Sequence, residues 1–486
     1  MRLTSGPVAG ATPGEGAVSL PGARLPSLPL RIPRPQIRVE QRGGRVALGA
    51  LVLATLLVVL VAVAGPTVLV PRSTLAFPGW HAGPLSAVIP RLIYDPKAVG
   101  IGFSVVLLAM LVAYGVALAA VRTFSMRSLA FTIVALHLIL LLSPPLQLND
   151  VFNYVGYAHL GGLHHLNPYQ HTIRQESFDP VFQFASWDNL RSPYGPLFSA
   201  LTYPLAFMPL PIAYWTLKVV TVLLSLAFIA LVWQCARQLG RDPRFAVVLV
   251  ALNPIYLIYA VGGFHNDFFM LAPMLGAVSL LLSGRDRTAG AVLMLAVAVK
   301  FTAVLLLPFL LVAAVTRPRR MRVLVGAAAM AVPLIAMSLA LFGLSIPNLA
   351  EQSSLLTDFS IPNIVGLAIG AGGGTPFLLD LAIVGVVAVV LAQLRHSRDW
   401  LAGAGWSTVA LIASLSWLMP WYVIWVLPLA ALGSSVRLRR VALAGTLFLI
   451  LSFMPATNLY MQAHGINPLG GSAGRASMSQ QNKLEQ

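Results

Sequence analysis

Asn149-Asp150 stands where a long apolar run gives way to a stretch rich in Tyr, His and Asn. Acids are scarce here, with 15 Asp and Glu among 486 residues, so a carboxylate at the mouth of an apolar segment asks for a chemical reason. It is suited to take a proton from an incoming hydroxyl as a general base. Asp150, Asn153, Tyr154 and Tyr157 follow an i, i+3, i+4, i+7 spacing and share one helical face, while Val151, Phe152, Val155 and Ala158 largely cover the other. The pattern predicts a short amphipathic helix lying on a membrane surface. A plain helix cap accounts for Asn149 or Asp150, but a cap needs no stripe of Tyr and Asn behind it.

The polar stretch continues through His164, His165, Asn167 and Tyr169, then Trp187-Asp188-Asn189 and Arg191-Ser192-Pro193-Tyr194-Gly195-Pro196. Aromatic and amide side chains in a concave site suit the faces and hydroxyls of a sugar. His164, His165 and His171 lack a metal-ligand spacing with an acid, so hydrogen bonding is the preferred reading and no metal is expected. Pro193 to Pro196 is first of all a rigid turn. Further on, His265 and Asp267 sit in the turn Gly262-Gly263-Phe264-His265-Asn266-Asp267, and Lys300 separates two short apolar runs. Lys218 and Asp380 read as snorkelling or structural charges, and Cys235, the only cysteine, as a helix-end filler. There is no P-loop, dinucleotide fingerprint, nucleophile elbow or zinc motif, which excludes a nucleotide-binding soluble fold.

Long apolar elements must position these residues. The chain is 58% hydrophobic and 10% charged, with mean hydropathy +0.82, where a soluble domain carries about 25% charged residues. Runs such as Val46–Val70 exceed the length that spans a bilayer, and they are continuous rather than alternating, so an all-α polytopic membrane protein is expected and not a β-barrel. The net charge of +17 is explained by topology rather than nucleic acid. Basic clusters at Arg31–Arg45, Arg122 and Arg127, Arg237–Arg244, Arg285 and Arg287, Arg317–Arg322, Arg395 and Arg398, and Arg437–Arg440 fall on the cytoplasmic side by the positive-inside rule. The result is about thirteen spans, N-terminus inside and C-terminus outside. Pro196–Pro209 is read as re-entrant or interfacial. Residues 1–46 read as a disordered cytoplasmic tail, 47–460 as the membrane domain with 146–195 as its external loop, and 461–486 as a disordered external tail. Ala62-Val63-Ala64 lies inside the first apolar run, which is expected to stay uncleaved.

The order of these features carries a resemblance: an external loop opening with Asp150, then Asn167-Pro168-Tyr169, Tyr194-Gly195-Pro196 before an apolar segment, the Gly263 to Asp267 turn, and Lys300 between two short helices. It resembles the GT-C superfamily of lipid-phosphate-sugar glycosyltransferases, and Leu148–Tyr169 is similar to actinobacterial polyprenol-phosphate-mannose-dependent α-1,6-mannosyltransferases. The resemblance implies a GT-C-like fold, Asp150 as catalytic base, a polyprenyl-phosphate-mannose donor, a lipid-anchored α-1,6-mannan acceptor, and inversion at the outer membrane face. Positive charge for the leaving phosphate is expected from Lys300 and Arg191, with Lys218 third. Asn149 stands where many relatives carry an acid, which argues against a metal bridging two carboxylates, and no cofactor is expected. Asp267 is a candidate second acid. The remaining substrate contacts are expected from Asn149, Asn153, Tyr154, Tyr157, His164, His165, Asn167, Tyr169, Tyr194 and His265. Two alternatives stand beside this: the same fold with an arabinofuranose or glucose donor, and a lipid-linked-sugar flippase or transporter, whose ionisable residues would lie near the midplane on broken helices. A structural scaffold is a third, which the rim of mixed charge makes unattractive.

Overall fold

A computed structural model describes residues 40–70, 77–92 and 95–485. All regular structure among them is helical. Gln41–Val63, Pro96–Ala119, Leu210–Gln238, Arg317–Phe342 and Pro376–His396 are long and apolar enough to cross a bilayer, and Val436–Phe453 with Pro455–Ala463, bent by 54°, makes a sixth if it is one span. Other runs that hydropathy reads as full spans are shorter or broken, because proline lacks the amide proton of a helix interior and collides with the preceding turn. Pro243–Ala251 gives way at Pro254 to a π-helical turn, Tyr256–Val261. Phe301–Leu306 is 3-10 helix before Leu307–Ala313, and Pro420–Trp425 is 3-10 helix before Leu427–Leu432.

The expected N-terminal tail lies outside the described residues as far as residue 39. The chain is already helical from Gln41, and Gly44 lets this helix lie against Ala120 and Phe124. The C-terminal stretch corrects the disordered reading of 461–486: Ser472–Glu485 is a helix. Its polar composition conceals one anchoring leucine, Leu484, which is buried with Leu190 and Leu355.

Asp150–Gly162 is a helix, but it does not lie on a surface: residues 151–160 are all buried. Phe152 stacks on Tyr214 at 5.3 Å and on Phe184 at 5.0 Å, so the apolar face is sealed by aromatic rings from the Leu210–Gln238 helix and the loop 163–195. Pro196–Thr202 and Tyr203–Phe207 form a broken apolar segment against the same helix. Gly161 makes this crossing possible, since a Cβ there would overlap the Tyr203 ring.

Candidate active site

Two turns converge below the Asp150–Gly162 helix. The Leu146 amide donates to the Gly262 carbonyl at 2.9 Å, so the chain entering Asp150 is fastened to the chain entering His265. Each turn contains a non-glycine residue at positive φ, Gln147 at 69° and Phe264 at 53°, conformations that side chains adopt at a cost and that cluster at functional sites. The geometry brings the His265 Nδ1 to 3.4 Å from Asp150 Oδ2. The imidazole stacks face to face on Trp421, with ring centroids 3.7 Å apart.

A third turn brings in the charge pair. Lys300 is the extended residue between the Asp286–Val299 helix and the Phe301–Leu306 segment. Its Nζ donates to Asp267 Oδ1 at 2.9 Å, and Trp425 Nε1 donates to the same oxygen at 2.6 Å. The ammonium also faces the Trp425 and Tyr422 rings at 4.9 and 5.4 Å, an attraction between a cation and the negative ring face. The Gly195 amide donates to the Val299 carbonyl at 3.0 Å, and a Cβ at Gly195 would strike the Ala298 carbonyl oxygen. That close approach locks the Tyr194-Gly195-Pro196 turn to the residues before Lys300.

Asp150, Asn153, Tyr157, Tyr194, His265, Asp267 and Lys300 all line one cavity of about 380 Å³. Within the polar stripe, Tyr154 is a brace: its hydroxyl accepts from the Asn266 amide at 3.2 Å. Tyr157 donates to the Leu190 carbonyl at 2.8 Å, and Asn153 Oδ1 accepts from the Ser186 amide at 3.2 Å. Burial, and after it the nearby Asp150 carboxylate, push the Tyr157 hydroxyl well above the ordinary phenol range. It therefore stays a donor.

Other expected contacts fall elsewhere. A 13-residue helix is about 20 Å long, so the chain beyond its C-terminus lies far from Asp150. His164 Nε2 and His159 Nδ1 reach the Asp179 carboxylate at 2.9 and 2.8 Å. Burial alone would raise that carboxyl, but the hydrogen bonds with the two histidines hold it down to about 2. His165 turns the chain at positive φ. Asn167 bonds the Phe342 carbonyl and the Tyr169 amide, and the Tyr169 hydroxyl bonds the Tyr194 carbonyl. These four shape the loop and do not line the cavity. Asn149 is the buried residue before the helix and also lies outside the lining. Arg191 pairs with Glu351 at 3.6 Å, beside the lining residues Leu190 and Gln352. Lys218 is wholly buried, donates to the Ser143 carbonyl at 2.7 Å and faces the Trp215 ring. It is removed from the cavity. No group of three or more His, Cys, Asp and Glu is placed to hold a metal among the described residues.

Sequence reasoning named Trp187 and missed the rest of the aromatic wall: Trp417, Trp421, Tyr422 and Trp425. These four lie in a run whose hydropathy is that of a membrane span. The available signal was Pro420, which breaks the helix and turns the rings of residues 421–425 toward the site.

Residues 48–316, more than half of the chain, match the family described as alpha-(1->6)-mannopyranosyltransferase, N-terminal domain, and residues 193–455 match glycosyltransferase family 87. Among curated proteins, the chain is 28% identical over 348 residues to alpha-(1->6)-mannopyranosyltransferase A of Mycobacterium tuberculosis, covering 63% of this chain and 65% of that one. It is 24% identical over 348 residues to alpha-(1->6)-mannopyranosyltransferase B of Corynebacterium glutamicum, covering 60% and 56%. The matched stretches span less than two thirds of these relatives' length. No solved structure matches.

Proposed function

The chain belongs to the alpha-(1->6)-mannopyranosyltransferase family, and from that premise we propose that it is a multi-pass membrane glycosyltransferase moving mannose from polyprenyl-phosphate-mannose to a lipid-anchored α-1,6-mannan. The observation that carries this reading is that the Asp150 carboxylate and the Lys300 ammonium line the same cavity. Asp150 takes the proton of the acceptor hydroxyl as its oxygen attacks the anomeric carbon, a contribution of about 10²–10⁴-fold. The lipid phosphate leaves with the bonding electrons, and Lys300 stabilises its charge as it develops. A single displacement inverts a β-linked donor to an α product. Neither metal nor nucleotide is required.

The apolar lining supports a lipid donor. Phe301, Leu379, Ile383 and Leu411 line one side of the cavity, and a narrow crevice among Met270, Met274, Leu306 and Ala404 shares Thr302, Leu411 and Trp425 with it. An isoprenoid tail fits such a wall. For orientation we keep the basic ends inside by the positive-inside rule; among them, Arg319 and Arg322 both pair with Asp286 at 2.8 and 2.9 Å. On this reading the chain crosses about thirteen times by hydropathy, with the N-terminus cytoplasmic and the cavity extracytoplasmic.

Membranes holding the protein, given labelled polyprenyl-phosphate-mannose and a short α-1,6-mannan, should yield an acceptor lengthened by an α-mannosyl residue. Product from an arabinofuranose or glucose donor only would reassign the sugar. Movement of lipid-linked sugar with no new glycosidic bond would make it a transporter.

A further inference from the structure

The outer wall of the cavity is made of three chain segments with no continuous element to hold them. Trp187 and Leu190 come from one, Gln352, Ser353 and Leu355 from the second, and Ser416 and Trp417 from the third. They are stitched to one another: the Thr357 amide donates to the Ser416 carbonyl at 3.0 Å, Ser416 Oγ to the Ser353 carbonyl at 3.1 Å, and Trp187 meets Trp417 edge to face at 5.7 Å. The Ser472–Glu485 helix is fastened behind them. The Asn189 amide donates to the Leu484 carbonyl at 3.1 Å, Asn189 Nδ2 to the Lys483 carbonyl at 2.9 Å, and the Leu356 amide to Ser477 Oγ at 2.7 Å. The Leu484 side chain is buried between Leu190 and Leu355, with Trp187 and Trp417 packed on the same cluster.

We propose that this C-terminal helix is a specificity-determining clasp: it holds the Trp187–Trp417 wall in place as the subsite for the acceptor glycan. Two features favour the acceptor over the donor. The wall it braces combines indole rings with Gln352 and Ser353, chemistry for sugar faces and hydroxyls. The helix's hydrogen bonds tie it to that wall, whereas Lys300 is held by Asp267 and the apolar side of Phe301, Leu379, Ile383 and Leu411 comes from other elements. The helix also lies beyond residue 455, where the family matches end, so it is a feature through which this chain can differ from its relatives. Leu484 and Asn189 are positioning residues that act through the wall and touch no substrate.

The role named for the wall rests on the glycosyl-transfer reading; the clasp itself does not. The test therefore has two arms, each on the full chain, on a chain ending at Gly471, and on Leu484→Asp. In the first, donor and acceptor KM are measured. The expected result is an acceptor KM about ten-fold higher, as for loss of one buried leucine, with donor KM unchanged and recovery in Leu484→Met. Unchanged acceptor KM, or an equal rise in both, overturns the proposal. The second arm uses Ser414→Cys, a cavity position, in a protein whose native thiol, Cys235, is buried. A membrane-impermeant maleimide should label it about ten-fold faster once the clasp is released. Equal labelling rates overturn the clasp. Faster labelling in a protein that transfers no sugar leaves the clasp standing and rejects the reaction instead. Leu484→Asp carries both arms should the shortened chain not fold.

Discussion

Lys300 Nζ sits 2.9 Å from Asp267 Oδ1, and the two ends of this pair differ in access: the lysine side chain is 23% exposed and the carboxylate 1%. With Trp425 Nε1 on the same oxygen, Asp267 is shut behind its partners. It is placed to aim Lys300, whereas Asp150, with a side chain 14% exposed, is the more accessible of the two carboxylates.

Lys300→Ala should therefore do two things. It leaves Asp267 with a single donor, and breaking a buried pair from one side costs about 3–5 kcal/mol, so the melting temperature in detergent should fall. It should also raise donor KM more than acceptor KM. The double variant Lys300→Met with Asp267→Asn removes both charges and should recover most of the stability but not donor use. Wild-type donor KM in that variant would rule out the phosphate role.

Asp150→Asn preserves shape and removes the carboxylate proposed as the base. Transfer should drop by about 10²–10⁴-fold with melting unchanged, read from labelled product and a thermal shift on one preparation. More than a few per cent residual transfer would count against Asp150 as the base.

How far the sequence reached depends on which interactions are local. The Asp150 helix and the extended Lys300 break were legible because spacing and hydropathy over a few residues define them. The braces behind the site were not. Nothing near Tyr154 says that its hydroxyl receives the Asn266 amide, 112 residues away. Burial of the helix was hidden for the same reason, since the rings covering Phe152 come from residues 184 and 214. The Trp421 to Trp425 wall is indistinguishable from a membrane span by hydropathy, because indole rings count as apolar whether they face lipid or a sugar. His164 and Asn167 have the chemistry of a sugar site, and a helix of fixed rise carries them out of it.

His81 predicts an acid-sensitive fold. Its ring is 1% exposed, enclosed by Trp80, Phe152, Phe184 and Tyr214, and among the described residues neither ring nitrogen has a hydrogen-bond partner. Burial, then the Lys218 charge, lower it to about 3 from 6.5. Between those values the unfolded chain binds a proton that the folded chain refuses, so stability rises with pH in that window. The contribution is complete above about 6.5 and is lost as pH falls toward 3. Melting temperature followed from pH 7 to 4 should decline in wild type and decline less in His81→Phe. Identical slopes would show that the ring does not titrate as a buried group.

Gly195→Ala tests whether the site is held by backbone contact rather than by side chains. The added methyl meets the Ala298 carbonyl oxygen, a rigid backbone atom that cannot swing aside, and overpacking of this kind costs about 1–3 kcal/mol. The Gly195 amide bond to Val299 is the link that sets the distance between the Tyr194 turn and Lys300, so separation of the two should be felt at the ammonium first. The expected outcome is a lowered melting temperature together with a donor KM raised as in Lys300→Ala, although neither Gly195 nor its methyl carries charge. A loss of stability with donor KM intact would mean that Lys300 is positioned by Asp267 and Trp425 alone.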